Sequence, residues 1–530
     1  MTHLTLRKPY IRWKTVSNFV VLFCLLLAVP SSRSAPVVST ETKLTASDNQ
    51  AQLRFGTSVA IDSGLAAVGA PGPTNGSVYT YTLVGTNWVQ TQKLTDPAPP
   101  CGDGDLFGES VAMQNNILVV GQPIGCEGDQ IAGQVFIYRL IGGTWVLQQT
   151  LTQTAPTQFA IDGFGSSVAI SGNTIAVSNP QDPTGPGRGT VSIFTNNGTS
   201  WNFQAQVAAP TGTPLADFGS AVAIDGNTLL VGASGQGMFG AAYVFVRTGT
   251  TWTLQQMLTP SNPHSADEFG EAVALEGDTA VVGAPGLTSP LLGGAAFVFH
   301  RSGSTWSPTQ ELQAADGVTN SVLGFGSSIS ILNGTMVVGA PGRVINGQTF
   351  AGGADIFQLQ GTSWILVQQI AATDPSTLAE FGSAVDIGAS GIIVGAPFDS
   401  TQFPSAGAAY IFAPGETNLP VIISATATPN VLWPSNHKLV PVTINVNATG
   451  SFVSCVILGV RSNQPINGKG DGNTSPDWII TGDLTLLLRA ERAGNIKTDR
   501  VYTITVLCAD SFGNTARRDV TVTVPHDQRK

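Results

Sequence analysis

A phrase built around a Phe-Gly pair recurs seven times along the 530-residue chain. One copy reads FGEAVALEGDTAVVGAPG, from Phe269 to Gly286. Successive pairs are 51 to 57 residues apart and begin at Phe55, Phe107, Phe164, Phe218, Phe269, Phe325 and Phe381. A period of this size indicates an array of similar units that bury their apolar faces against one another.

Each unit divides into four short segments with the apolar patterning of β-strands. In one unit they are residues 218–224, 227–233, 241–247 and 251–259. A Gly beside Asn or Asp between the first two segments supplies the positive φ that a two-residue hairpin turn needs. Gly-Ala-Pro ends the second segment, because Pro has no N–H for a further ladder bond. No segment has a sustained helical period, so we predict an all-β chain.

Seven units of four strands predict a seven-bladed β-propeller, with an open solenoid as the alternative. The chain ends favour closure. The fourth strand of six units carries a tryptophan: Trp88, Trp145, Trp201, Trp252, Trp306 and Trp364. The seventh unit lacks this strand, whereas residues 38–45 stand alone before the first Phe-Gly and end in Lys-Leu-Thr, like residues 88–95. We expect this N-terminal strand to complete the seventh blade, which removes the exposed edges of an open array.

Residues 1–34 are predicted to be a secretory signal peptide. Basic residues precede the apolar run 18–29, and small residues follow it near Ala35. The run is shorter than the roughly 20 residues that span a bilayer, so we favour cleavage over a membrane anchor. The protein is then expected to be secreted or displayed at the cell surface. The remaining chain has 19 basic and 34 acidic residues, and this balance of −15 argues against nucleic acid and anionic membrane as partners.

Four cysteines remain after the signal peptide, and an even number in an exported chain predicts two disulfides. Cys101 and Cys126 lie in two connections that are predicted to share one face of the propeller. A bond between them would join those loops. Cys455 and Cys508 fall in two strands of the C-terminal region, where we expect a bond between facing sheets.

The Phe-Gly and Gly-Ala-Pro phrases resemble the FG-GAP repeats that form the N-terminal propeller of integrin α chains. The short first hairpin is similar to the bacterial variety of these repeats. The resemblance covers about residues 37–413 and implies a propeller domain at residues 35–415 with a role in adhesion. The phrase departs from the pattern at Val120, Val177 and Val231, where VGQP, VSNP and VGAS replace it.

One departure from the integrin pattern concerns calcium. Several integrin blades carry an Asp-x-Asp-x-Asp-Gly calcium loop between the first two strands. This chain has only a tight turn there, in which Asp62, Asp225 and Asp278 stand singly. One carboxylate does not supply the six to eight oxygen ligands of calcium, so we expect no integrin-type calcium site.

Two other acidic groups are weaker candidates for a calcium ion. Asp103, Asp105 and Asp129 flank Cys101 and Cys126, and the alternative is a solvated loop. The second group, in a C-terminal loop, consists of Asp471, Asn473 and Asp477, and the alternative is an Asx-rich turn. We expect no other cofactor.

The phrase is absent from residues 416–530, where alternating segments predict an antiparallel β-sandwich. Residues 433–442, 470–478 and 502–516 resemble immunoglobulin-like or hyalin-repeat modules of exported bacterial proteins. The resemblance implies that this domain is a spacer or an adhesion unit.

The sequence contains no recognisable catalytic motif. The histidines are scattered without metal-ligand spacing, and neither a nucleophile elbow nor a phosphate loop is present. The repeated tryptophans are expected to pack between strands rather than to stack on sugars. We therefore predict a non-catalytic binding or adhesion protein whose propeller loops bind an extracellular polysaccharide or a surface or matrix protein. The alternatives are an enzyme acting on extracellular glycans and a structural component of an envelope or matrix.

Overall fold

The computed structural model describes residues 38–72, 75–97, 106–124, 126–127, 130–131, 133–153, 163–182, 189–210, 216–261, 263, 267–286, 293–314, 324–414, 421–449, 454–465, 475–493, 496–509 and 515–526. Every regular element in these ranges is a β-strand. No helix in this part of the chain has the length and apolarity needed to cross a bilayer. The predicted signal peptide lies outside the described residues.

Seven four-stranded antiparallel sheets, which we number I to VII, occupy the described residues up to 414. The strands of sheets I to III are β2 (Ser58–Asp62), β3 (Leu65–Ala70), β4 (Ser77–Val84) and β5 (Asn87–Thr95); β6 (Ser110–Gln114), β7 (Ile117–Gln122), β10 (Gln134–Ile141) and β11 (Thr144–Thr152); and β12 (Val168–Ser171), β13 (Thr174–Asn179), β14 (Thr190–Asn196) and β15 (Trp201–Val207). A two-stranded hairpin, β8 (Cys126–Glu127) and β9 (Gln130–Ile131), lies between β7 and β10.

Sheets IV to VII repeat the same strand order. Their strands are β16 (Phe218–Asp225), β17 (Thr228–Ala233), β18 (Ala241–Thr248) and β19 (Thr251–Leu258); β20 (Val273–Glu276), β21 (Thr279–Ala284), β22 (Ala295–Ser302) and β23 (Thr305–Leu312); β24 (Ile329–Leu332), β25 (Thr335–Ala340), β26 (Gly353–Gln360) and β27 (Ser363–Ile370); and β28 (Ala384–Gly388), β29 (Gly391–Ala396), β30 (Ala408–Pro414) and β1 (Val38–Leu44). The predicted strands of the unit at Phe218 agree with β16 to β19 within one residue.

The N-terminal strand β1 is the outermost strand of sheet VII, as its sequence predicts. It runs antiparallel to β30, with Lys43 opposite Tyr410. The first strands of the seven sheets contact one another in succession, and β28 of sheet VII also contacts β2 of sheet I. The all-β, propeller-like organisation is therefore confirmed.

The turn chemistry predicted from the phrase is also observed. The turn glycines Gly64, Gly226, Gly277 and Gly334 have φ between +55° and +82°. The strands that end in Gly-Ala before proline, β3, β21, β25 and β29, stop at the alanine.

The Phe-Gly pair joins each sheet to the one before it. Phe269 of sheet V is fully buried, its ring centroid lies 5.5 Å from that of Phe297, and its N–H donates to the carbonyl oxygen of Phe239 in sheet IV at 2.9 Å. Gly270 has φ of +104°, and a Cβ there would meet the carbonyl oxygen of Ala241 at 2.3 Å. Only glycine allows this approach, which explains why the pair recurs.

The tryptophans pack between sheets, as the sequence analysis predicts. Gln256 and the backbone of Trp306 in the next sheet exchange two hydrogen bonds of 2.7 and 2.8 Å. Trp88 is half-buried. The other five tryptophan side chains are 8% exposed or less: Trp145, Trp201, Trp252, Trp306 and Trp364. A buried indole has no free face for a sugar ring.

The C-terminal region contains two antiparallel sheets that share one core cluster. One sheet has the order β31 (Val421–Thr428), β32 (Leu439–Thr449), β35 (Thr485–Arg489) and β34 (Trp478–Gly482), and the other has the order β33 (Ser454–Ser462), β36 (Arg500–Ala509) and β37 (Thr515–Val524).

The Cys455–Cys508 disulfide is present, but the expectation that it joins facing sheets is wrong. Cys455 of β33 lies directly opposite Cys508 of β36 in one sheet, with 4.0 Å between their Cα atoms. The alternation of apolar residues shows which side of a strand is buried. It does not show which strand is the neighbour in the sheet, and the prediction of a bond between facing sheets was wrong for this reason.

Candidate functional site

One side of the sheets carries the connections from second to third strands and from fourth strands to the next first strand. We call it the loop face. Its described segments include residues 45–57, 341–352, 371–383 and 397–407.

Most residues of the two predicted calcium loops, and one cysteine of the predicted Cys101–Cys126 bond, lie outside the described residues. These are Cys101, Asp103, Asp105, Asp129, Asp471 and Asn473. Cys126 belongs to β8, but nothing is described of its side chain. The Cys101–Cys126 bond and the two candidate calcium loops therefore stay predictions. Within the described ranges, no group of three or more His, Cys, Asp or Glu side chains is arranged to hold a metal ion.

Asp477 is the one residue of these sets whose side chain is described. It is 2% exposed, and one carboxylate oxygen accepts a hydrogen bond from the guanidinium of the fully buried Arg500. Glu491, also fully buried, lies 3.4 Å from Nη1 of the same arginine. Asp477 thus belongs to a buried ionic network inside the C-terminal core.

The single carboxylates in the first turns connect neighbouring sheets. Asp62 accepts the N–H of Asn115 from the next turn at 2.7 Å, and Asp225 accepts the N–H of Gly277 at 2.7 Å. Asp278 instead forms an ion pair of 2.6 Å with Arg301. These roles explain why isolated acidic residues recur there without forming a metal site, and the sequence analysis did not predict them.

The loop face contains a charged cluster where the N-terminal strand joins sheet VII. Nζ of Lys43 lies 2.6 Å from Asp374 and 3.2 Å from Asp399, which is only 3% exposed. The hydroxyl of Tyr410 donates to both carboxylates at 3.0 Å. Burial raises the pKa of Tyr410, and the two carboxylates raise it further, so the phenol stays a neutral donor.

Sheet I has a smaller version of the same cluster. Tyr79 donates to Oδ1 of Asp48 and Lys93 donates to Oδ2, both at 2.6 Å. Burial opposes ionisation of Asp48, but the hydrogen bonds from Lys93 and Tyr79 prevail and lower its pKa. Lys93 opposes Tyr79 in its ladder as Lys43 opposes Tyr410 in sheet VII.

Other charged residues of the loop face also bind within the protein. Arg343 and Asp355 form a buried ion pair of 2.8 Å, and Asp182 accepts the hydroxyl of Thr190 at 2.7 Å. Arg188 and His264, which the sequence places on this face, lie outside the described residues.

Four large apolar side chains on neighbouring segments of the loop face, in contrast, are exposed. Val344, Phe350, Leu378 and Phe403 are 44%, 38%, 55% and 48% exposed. We call these four residues the apolar loop patch. They lie on the segments 341–352, 371–383 and 397–407 of sheets VI and VII.

The backbone beneath this patch is unusual in conformation but well bonded. Phe350 has φ of +54° and Leu378 has φ of +63°, in the left-handed region that bulky residues avoid. The N–H of Leu378 donates to Thr349 and the N–H of Glu380 donates to Phe350, both at 2.9 Å. The two loops therefore hold each other while they expose strained apolar residues.

The first strands of all seven sheets also line a central channel of about 290 Å³. The lining includes the same ladder position of each sheet: Ala60, Ala112, Ala169, Ala223, Ala274, Ser330 and Asp386. Asp386 accepts hydrogen bonds of 2.9 Å from the N–H of Ile61, the hydroxyl of Ser330 and the N–H of Ile387. Burial raises the pKa of Asp386 to about 6. This residue was not predicted from the sequence, although it is an Asp at a position where five repeats have Ala.

The profile of the FG-GAP repeat family matches six segments that together cover more than half of the chain: residues 38–81, 88–138, 145–194, 201–245, 252–299 and 364–412. The chain belongs to the FG-GAP repeat family. Each matched FG-GAP segment begins in a fourth strand and ends in the third strand of the next sheet, and the first match begins at β1. Sheet VI has the same four strands even though no match covers its first three.

Among solved structures, the FG-GAP chain is similar to a protein from Lactobacillus plantarum at 12% identity, with 62% of this chain and 86% of that chain covered and a TM-score of 0.41. It is also similar to the WD40 domain of Toxoplasma gondii coronin at 11% identity, with coverage of 72% and 89% and a TM-score of 0.42. Similarity at this level supports no functional inference. No curated protein sequence shows significant similarity to the chain.

Proposed function

We propose that this FG-GAP protein is an exported, non-catalytic binding protein of the adhesion type, whose apolar loop patch docks a surface or matrix protein. In this proposal residues 1–34 are a signal peptide, and residues 35–415 form a closed, seven-bladed, integrin α-like propeller. Residues 416–530 form an immunoglobulin-like β-sandwich that displays it.

One observation carries the proposal: Phe350 and Leu378 are exposed, apolar and held in the left-handed backbone region by mutually bonded loops. Such strain costs of order 1–3 kcal/mol per residue and persists where the surrounding structure imposes it, commonly at functional sites. Large apolar side chains on rigid loops are typical anchors of protein interfaces.

A protein partner fits this patch better than a polysaccharide. Sugar sites combine an exposed aromatic face with polar groups that hydrogen-bond hydroxyls. The indoles of sheets II to VI are buried, and the loop-face charges of Lys43 and Arg343 are paired with Asp399 and Asp355. The patch therefore offers mainly apolar area, which a protein surface matches.

The test compares the purified protein with two double variants on a panel of immobilised matrix proteins and glycans. In F350N/L378N, Asn tolerates the left-handed backbone and removes the apolar anchors. The matched control V84N/I141N removes exposed apolar residues at the opposite, third-to-fourth hairpins. We expect saturable binding to a protein that weakens at least tenfold in F350N/L378N and is unchanged in the control.

Three other outcomes would contradict the proposal. Equal weakening in both variants would show that the patch is not the site. Glycan binding that both variants retain would favour the polysaccharide alternative, and glycan cleavage would favour the enzyme.

A further inference from the structure

The central channel has an uneven chemical lining. At the ladder position of Asp386, five of the seven sheets carry an alanine: Ala60, Ala112, Ala169, Ala223 and Ala274. Ser330 and Asp386 are the polar side chains of the channel lining. The channel lining therefore contains one carboxylate among uncharged side chains.

This carboxylate has hydrogen-bond donors on the protein side but no counter-charge. Oδ1 accepts from Ser330 and from Ile387, whereas Oδ2 accepts only from Ile61. Within the described part of the chain, no Lys, Arg or His side chain forms an ion pair with Asp386. A lone pair of Oδ2 therefore remains for a further donor.

An anion between low-dielectric walls attracts cations, because the walls concentrate its field along the channel. A hard divalent cation needs six to eight oxygen ligands, and the single carboxylate of the channel does not supply them. A primary ammonium carries one positive charge, which one carboxylate balances, and three N–H donors, of which the two not bound to Asp386 remain for Ser330 or water. Its alkyl chain can contact the apolar side chains of the channel lining. A volume of about 290 Å³ accepts a short alkyl amine.

We propose that the central channel is a binding site for a small primary alkylammonium ion, with the Asp386 carboxylate as its counter-ion. The ammonium donates to Oδ2, and the alkyl chain lies against apolar side chains of the first strands. This site is independent of the apolar loop patch, so either can exist without the other.

The experiment is calorimetric titration of the full-length protein with n-butylammonium chloride at pH 7.5. We expect saturable binding of one ion per chain that weakens at least tenfold in D386N. D225N is the matched control: it makes the same change at the end of another first strand, where Asp225 bonds to the next turn and does not line the channel. We expect D225N to bind like the wild type.

A second variant separates binding from folding effects. Ala169→Leu fills the channel and leaves Asp386 in place, so we expect it also to abolish binding while circular dichroism shows a folded protein. Binding should also fall as the pH drops through about 6, where Asp386 becomes protonated.

Three results would overturn the proposal: no saturation by wild type up to 50 mM of the ammonium salt, equal affinity in D386N, or equal affinity for neutral n-butanol. Saturable calcium binding at the same Asp386-dependent site would assign a metal site instead.

Discussion

A Cβ atom on Gly232 of sheet IV would lie 1.9 Å from the carbonyl oxygen of Gly270 in sheet V. The two glycines belong to the Gly-Ala and Phe-Gly ends of successive copies of the phrase. The same approach joins Gly69 to Gly108, Gly121 to Gly165, Gly283 to Gly326, Gly339 to Gly382 and Gly395 to Gly56, with 2.0 to 2.1 Å from the Cβ to the oxygen. The recurring glycines are therefore contact points between sheets.

We expect Gly232→Ala to lower the free energy of unfolding by about 3 kcal/mol, because the methyl group meets backbone that cannot move aside. Gly459→Ala is the matched control, since a Cβ at Gly459 has no atom within 4 Å. Urea denaturation measures both. Equal, small effects would show that the sheets separate easily at this contact.

Lys43 stabilises the closing strand through the buried Asp399. We expect Lys43→Met to lower the free energy of unfolding by about 3 kcal/mol, since it leaves a buried carboxylate without its counter-charge. Amide hydrogen exchange in residues 38–44 should rise in parallel. Lys93→Met is the control, because its partner Asp48 is 51% exposed and such a pair contributes about 1 kcal/mol or less. Similar losses in the two variants would contradict this assignment.

Asp386 makes stability depend on pH in a definite direction. Its folded pKa of about 6 lies above the ordinary value of 3.8, so the folded protein binds the proton more tightly than the unfolded chain. The contribution to the free energy of unfolding is fully present below pH 4 and is lost as the pH rises through 6. The difference amounts to about 3 kcal/mol at most.

Asp386→Asn should remove this dependence. Urea denaturation at pH 4 to 8 measures the free energy of unfolding of both proteins. The wild-type value should fall relative to that of D386N between pH 4 and 6, and the two should change in parallel above pH 7. Parallel curves over the whole range would show that the carboxyl titrates near its ordinary value.

Leu378→Asn should raise the free energy of unfolding by about 1 kcal/mol, because Asn adopts the left-handed backbone at lower cost than Leu. Thermal unfolding measures the change, with Leu359→Asn as control at an exposed residue of ordinary backbone conformation in β26. A loss of stability at Leu378 alone would mean that its side chain packs in the fold rather than serving a partner.

Much of the fold was readable from local patterns in the sequence. The period of the Phe-Gly pairs, the alternation within each unit and the Asn-Gly or Asp-Gly turns predicted four strands per sheet, since each depends on residues close together in the chain. Lys43-Leu44-Thr45 even predicted that β1 pairs with β30, because it matches the fourth strand of another unit.

Contacts between units were decided only by the tertiary structure. Asp62 bonds to Asn115 one repeat further along the chain, and Asp386 bonds to Ile61 across 325 positions. The repeat period predicts that neighbouring units adjoin, but it does not show which side chains bond between them. The neighbour of Cys455 was mistaken for the same reason: an alternating pattern orients a strand but does not choose its partner in a sheet. The Asp386 carboxylate became a candidate site only once the first strands of the seven sheets brought it into the lining of one channel.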